Sequence, residues 1–67
     1  MSSSADRLLR LPTVLHMVGL GKTTVYEMMK NDDFPKPRRV RNASLWVESE
    51  VQTWIRRVID PDHTINH

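Results

Sequence analysis

Apolar residues recur along the first half of this chain at the spacing of short helices. Val14, Leu15 and Val18 form one stripe, and Val25, Met28 and Met29 form a second at i, i+3, i+4. Gly19, Leu20 and Gly21 stand between them. A residue just past a helix end often needs positive φ, which glycine adopts without strain, so Gly19 ends the first helix and Leu20 plugs the turn. Proline is favoured at the first helical position, where its missing N–H costs nothing, so Pro12 opens that helix and 12–18 is its predicted span. Gly21 takes the N-cap position of the second helix, predicted over Lys22–Lys30; glycine is acceptable there, though a weaker cap than serine.

The pattern then changes. Asn31, Asp32 and Asp33 end the second helix. Phe34-Pro35-Lys36-Pro37 cannot continue it, because each proline holds itself and its predecessor in extended geometry. Phe34 is the only phenylalanine and is expected to anchor this segment to the core. Two β-capable runs, 38–41 and 44–46, flank Asn42 and Ala43, and Asn42 tolerates the left-handed backbone of a tight hairpin. A third helix is predicted from Glu48 to Val58 or Ile59. Val51, Trp54, Ile55 and Val58 share one face of it. Glu48 and Glu50 lie in its first turn and Arg56 and Arg57 in its last, which suits the helix dipole at both ends. Residues 7–11 read as a short extended segment against the core. The fold class is therefore mainly α with a small β-hairpin. Two helices joined by a short glycine turn form a helix-turn-helix, whose second helix enters the DNA major groove, and a hairpin after it is a wing.

Sixty-seven residues allow one domain, which is read as spanning 7–59 between a disordered Ser-rich leader (1–6) and a flexible tail (60–67). A chain this short buries only about 60% of its unfolded surface, so each large apolar residue counts. There is no cysteine, which fits a reducing cytoplasm better than secretion. No segment approaches the ~20 apolar residues of a membrane span, and 1–6 carries no signal-peptide core. The net charge of +2 decides nothing by itself. Its distribution does: Lys36, Arg38, Arg39 and Arg41 fall in a run without an acid, a basic patch suited to an anionic partner.

Each candidate site residue has a plain alternative. Lys22, Thr23 and Thr24 open the second helix, where the helix N-terminus favours phosphate; otherwise they are an ordinary polar start, with Thr24 turned partly inward. Tyr26 either meets the DNA backbone or covers the core edge. Glu27 either accepts from a cytosine amino group or is solvated or paired with a nearby base. On a wing, Lys36, Arg38, Arg39, Arg41 and Asn42 reach the backbone or a narrow minor groove; the alternative is a charge-protected edge strand. Strand alternation puts Arg39 and Arg41 on one face and Arg38 and Val40 on the other, so the cations cannot all make one contact. Trp46 and Trp54 could stack bases in a single-strand binder, but a domain this small needs both indoles in its core. Met17, Met28 and Met29 are likewise core or core-edge residues.

Catalytic and metal chemistry find little support. His63 and His67 are four apart and His16 stands alone, whereas a metal site normally needs three or four convergent ligands. Gly-Leu-Gly-Lys-Thr-Thr lacks the upstream glycine of a phosphate-binding loop and the α/β domain around it. No nucleophile–base–acid set is visible. No metal, cofactor or enzymatic activity is expected.

Four blocks in order carry a family resemblance: Leu-Leu-Arg-Leu-Pro (8–12), Gly-Leu-Gly-Lys-Thr-Thr-Val-Tyr (19–26), Phe-Pro-Lys-Pro (34–37) and Trp-Val-Glu-Ser-Glu-Val-Gln-Thr-Trp (46–54). Over about 7–59 the chain resembles the AlpA family of small prophage-type regulators, related in fold to excisionases and to the DNA-binding domain of MerR regulators. The resemblance implies a winged helix-turn-helix protein that binds double-stranded DNA, with Lys22–Lys30 in the major groove and 38–46 as the wing on the backbone or minor groove. It implies a cytoplasmic, nucleoid-associated regulator of an integrase gene, or a recombination directionality factor that favours prophage or genomic-island excision. Two positions depart from the family pattern: Gly21, where serine is usual, and a wing tip, Arg41-Asn42-Ala43, without glycine. One such module buries about 600–1,000 Å² on DNA, so repeated sites with cooperative self-association, or help from integrase, are expected. The rival class is a protein-interaction module that docks on an integrase or repressor without touching DNA.

Overall fold

The computed structural model describes residues 6–60. A short strand, β1 (Leu8–Leu9), leads into α1 (Leu11–Val18) and α2 (Lys22–Lys30); β2 (Arg38–Val40) and β3 (Ala43–Val47) form the hairpin, and α3 (Glu48–Ile59) follows without a break. The leader up to residue 5 and the tail from 61 onward, with His63 and His67, lie outside the described residues.

The helix-turn-helix forms from local signals. Arg10 is extended, and α1 starts at Leu11, one residue earlier than expected, with Pro12 second. Gly19 is left-handed at φ 73° and donates its N–H to the Leu15 carbonyl at 2.8 Å. Gly21 is extended at the start of α2 and, having no side chain, leaves that helix without a side-chain cap. At the far end of α2, Asp32 takes φ 61°. The Asp32 N–H donates to the Met29 carbonyl (3.2 Å) and the Asp33 N–H to the Met28 carbonyl (2.7 Å). That pair of bonds is a Schellman stop, and it turns the chain so that Phe34 enters the core.

Among the described residues seven apolar side chains are buried: Leu9, Val14, Val25, Met29, Phe34, Trp46 and Val51. Every element except β2 supplies at least one. The two indoles act as clips on the proline-containing connection. Trp46 Nε1 donates to the Pro35 carbonyl at 3.1 Å and Trp54 Nε1 to the Asp33 carbonyl at 2.7 Å. Phe34 meets Trp54 edge to face, with ring centroids 5.0 Å apart. Both tryptophans thus serve the core, as expected. The last turn of α3 does not: Val58 is 59% exposed and Ile59 74%, so the predicted apolar face stops at Ile55.

The hairpin is part of a larger sheet. β1 pairs antiparallel with β3 (Leu8 opposite Val47, Leu9 opposite Trp46), giving the strand order β1-β3-β2. The extended segment expected at 7–11 is therefore a third strand over Leu8–Leu9, and Leu11 belongs to α1. This pairing ties the N-terminal segment to α3. The Glu48 N–H donates to the Arg7 carbonyl at 2.8 Å. The Asp6 carboxylate accepts the Ser49 N–H at 3.1 Å and the Ser49 hydroxyl at 2.9 Å. Val47, at the N-cap position of α3, has no side-chain acceptor. Asp6 supplies the cap from 43 residues away, so this aspartate is anchored and is not part of a loose leader.

Candidate nucleic-acid interface

The outer surface of α2 follows from its buried seam. Val25 and Met29 face the core. At 3.6 residues per turn, Thr23 and Glu27 lie farthest from that seam, with Lys22, Tyr26 and Lys30 in a row on one flank and Thr24 on the other. All six are exposed, Tyr26 by 40%. Thr24 does not turn inward, and Tyr26 stands at the boundary between the two readings given above. Among the described residues none of the six forms a side-chain ion pair. Lys30 was absent from the candidates above; the i, i+4, i+8 row it forms with Lys22 and Tyr26 is the signal that marks it.

The four-cation run after α2 is divided by the fold. Lys36 Nζ bonds Asp32 Oδ1 at 2.7 Å. Arg38 grips Glu50 with two bonds, Nη1–Oε1 at 3.2 Å and Nη2–Oε2 at 2.9 Å, and its Nη1 also donates to the Lys36 carbonyl at 3.3 Å. Arg39 and Arg41 are exposed and have no ion pair among the described residues. The register puts Arg39 opposite Ser44 and Arg38 opposite Leu45. Opposed residues share a face, so Arg39 projects on the side of Ser44 and Trp46, which is the core side, and Arg38 on the other. The alternation of 38, 39 and 40 is as expected, but it ends at the turn. Val40 faces Ala43, which leaves Arg41 and Asn42 as a two-residue loop, and Arg41, not Asn42, takes the left-handed backbone at φ 56°.

The paired acids lie outside α2: Asp32 in the turn that follows it, and Glu48 and Glu50 in the first turn of α3. Hydrogen bonding and charge from Arg7 hold the Glu48 carboxyl below the ordinary glutamate value, and Lys36 does the same for Asp32. Among the described residues, α2's Lys22, Glu27 and Lys30 and the wing's Arg39 and Arg41 form no ion pair, as is also true of Arg10, Asp33, Arg56 and Arg57 elsewhere on the surface. Among the described residues no group of three His, Cys, Asp or Glu could hold a metal, and no helix is long and apolar enough to cross a membrane.

Two helices on a tight turn, a polar outer face on the second, and a basic hairpin behind it define a mainly α winged helix-turn-helix module. The chain belongs to the prophage CP4-57 regulatory protein (AlpA) family, whose profile matches residues 7–59. It is similar to the DNA-binding transcriptional activator AlpA of Escherichia coli strain K12, at 34% identity over 59 residues, covering 78% of this chain and 84% of that protein. It is also similar to the uncharacterized protein ORF88 of Enterobacteria phage P4, at 35% identity over 51 residues. That match covers 75% of this chain and 58% of the phage protein's length. No solved structure matches significantly.

Proposed function

We propose that this chain is a sequence-specific binder of double-stranded DNA, acting in the bacterial cytoplasm as a prophage or genomic-island regulator. Its targets are an integrase gene's promoter, the attachment site of the element, or both, so that it activates transcription or favours excision. The observation that carries the reading is the outer face of α2. It presents two lysines, two threonines, a tyrosine and a glutamate, while the seam behind them is buried and their charges form no ion pair among the described residues. In this reading Thr23 and Glu27, farthest from the core, meet base edges in the major groove, with Glu27 accepting from a cytosine amino group. Thr24 sits beside them. Lys22, Tyr26 and Lys30 meet phosphates along the flank, and Arg39, Arg41 and Asn42 extend the contact from the wing. The similarity to a DNA-binding transcriptional activator supports the same conclusion.

The test is fluorescence anisotropy on duplex tiles covering the protein's own locus and the nearest integrase gene, at several salt concentrations, against a scrambled duplex. Four phosphate-facing cations predict a log–log salt slope of about −3 to −4. Lys22→Ala and Arg39→Ala should each flatten it by about one, and Lys36→Ala, already paired with Asp32, by less. Tiles preferred at the attachment site rather than a promoter favour the excision role. Binding equal to that of the scrambled duplex rejects recognition by this chain alone.

A further inference from the structure

We propose that Arg38 and Glu50 form a bracket that sets the position of the wing, and that both act on DNA binding as positioning residues without touching DNA. The inference rests on the DNA-binding reading above and divides the basic run within it: Arg39 and Arg41 contact the ligand, and Arg38 holds them in place.

The hairpin needs such a bracket. β2 is an edge strand of three residues, all exposed, with no side chain in the core. Its register with β3 spans three residue pairs, and the turn beyond carries a left-handed arginine. A ladder this short resists fraying and twisting weakly. Arg38 is the one wing cation that reaches back to the body of the protein. Its fork engages both oxygens of Glu50, which lies in the first turn of α3 next to the fully buried Val51. The carboxylate therefore stands on backbone pinned to the core, and the planar, two-bond geometry fixes direction as well as distance. The same guanidinium holds the Lys36 carbonyl at the entry to β2. With Arg38 on the face away from Ser44 and Trp46, Arg39 is held on the opposite face.

Glu50→Gln separates the bracket from the alternative by sign. If Arg38 were a phosphate contact, removing its carboxylate would free a cation and delete an anion near DNA, and affinity would rise. The bracket predicts a fall of about fivefold, near the upper end of what an exposed pair contributes, with the salt slope unchanged. Arg38→Ala should weaken binding similarly, again without changing the slope. The swap Arg38→Glu with Glu50→Arg should restore affinity to within about twofold of the original protein. A second arm needs no DNA: in free Glu50→Gln, amide exchange in β2 and β3 should quicken while α2 is unaffected. Tighter binding by Glu50→Gln, a slope reduced by about one in Arg38→Ala, a swap that fails to rescue, or unchanged exchange in the hairpin would each overturn the bracket. If the unaltered protein binds no duplex, the DNA reading falls, and the exchange measurement still decides whether Glu50 holds the wing.

Discussion

The second helix and the wing both offer cations to solvent, and they are built on opposite terms. α2 is set by its own sequence: two of its nine residues are buried, its ends are fixed by adjacent turns, and its outer charges form no ion pair with any other described residue. β2 buries nothing, and two of the four cations in and around it are bound, Lys36 by Asp32 in the turn after α2 and Arg38 by Glu50 of α3. A run of basic residues in sequence is therefore not yet a basic surface. Alternation and distant acids decide which members face a ligand and which hold the scaffold.

The largest effect should show that this contrast belongs to the surface alone. Trp46 is fully buried on β3 and clips the Pro35 carbonyl, in one cluster with Val25 and Met29 of α2. Trp46→Ala should cost about 3–5 kcal/mol. A domain of this size has on the order of 3–10 kcal/mol in total, so the whole protein, α2 included, should be largely or wholly unfolded by circular dichroism. A surviving cooperative helical transition would mean that the helix pair folds without the sheet, and the comparison would become one between two independent units.

Next in size are two of the left-handed positions, Gly19 before α2 and Arg41 in the wing. Gly19 at φ 73° has open space where a side-chain carbon would stand, so Gly19→Ala suffers from backbone strain and not from a clash. It should lower stability by about 1–2 kcal/mol in urea titration. Arg41→Gly, at φ 56°, should change stability in the opposite direction by less, because relief of strain is offset by the greater freedom of unfolded glycine.

The N-terminal anchor responds to pH. Arg7 holds Glu48 below its ordinary value, so the folded protein binds fewer protons there than the unfolded chain does. The resulting stability is complete above about pH 4.3 and declines as pH falls through that value toward the folded one. Asp32, held down by Lys36, acts in the same direction over a lower window, starting from the ordinary aspartate value of about 3.9, and, being more exposed, adds less. Protection of the β1 amides should fall with pH below about 4.3, and Glu48→Gln should remove most of the dependence. Asp6→Ala, which deletes the remote cap of α3, should cost about 1 kcal/mol at neutral pH. Unchanged β1 protection in acid would mean that the Arg7–Glu48 pair does not hold β1 to α3.

These cases mark what could be read in advance. Gly19, Gly21, the two apolar stripes and the Phe34-Pro35 break act over a few residues, so the helix-turn-helix and its outer face were legible, with α2 placed at its observed ends. The third strand, the Asp6 cap and the Arg38–Glu50 pair join residues far apart in the chain, and no local pattern announces them. Val58 satisfied helical periodicity but lies beyond the reach of the core, because periodicity assigns a face and not a neighbour. Arg41 became left-handed in place of Asn42 because the β2–β3 register, a property of both strands, chose the loop residues.

The smallest predicted change tests whether the helix pair is as locally determined as it looks. Gly21 has extended backbone at φ −82° and ψ 165°, which any residue adopts, and a side-chain carbon there would meet nothing within 4 Å. Serine should therefore fit without rearrangement, and its hydroxyl can accept an N–H from the first turn of α2, which now has no side-chain cap. Gly21→Ser should raise stability by a few tenths of a kcal/mol, the usual difference between these two caps. The gain should appear as slower amide exchange in the first turn of α2 and leave the wing unchanged. A change of equal size in β2 and β3 would mean that the two regions are coupled through more than their shared core.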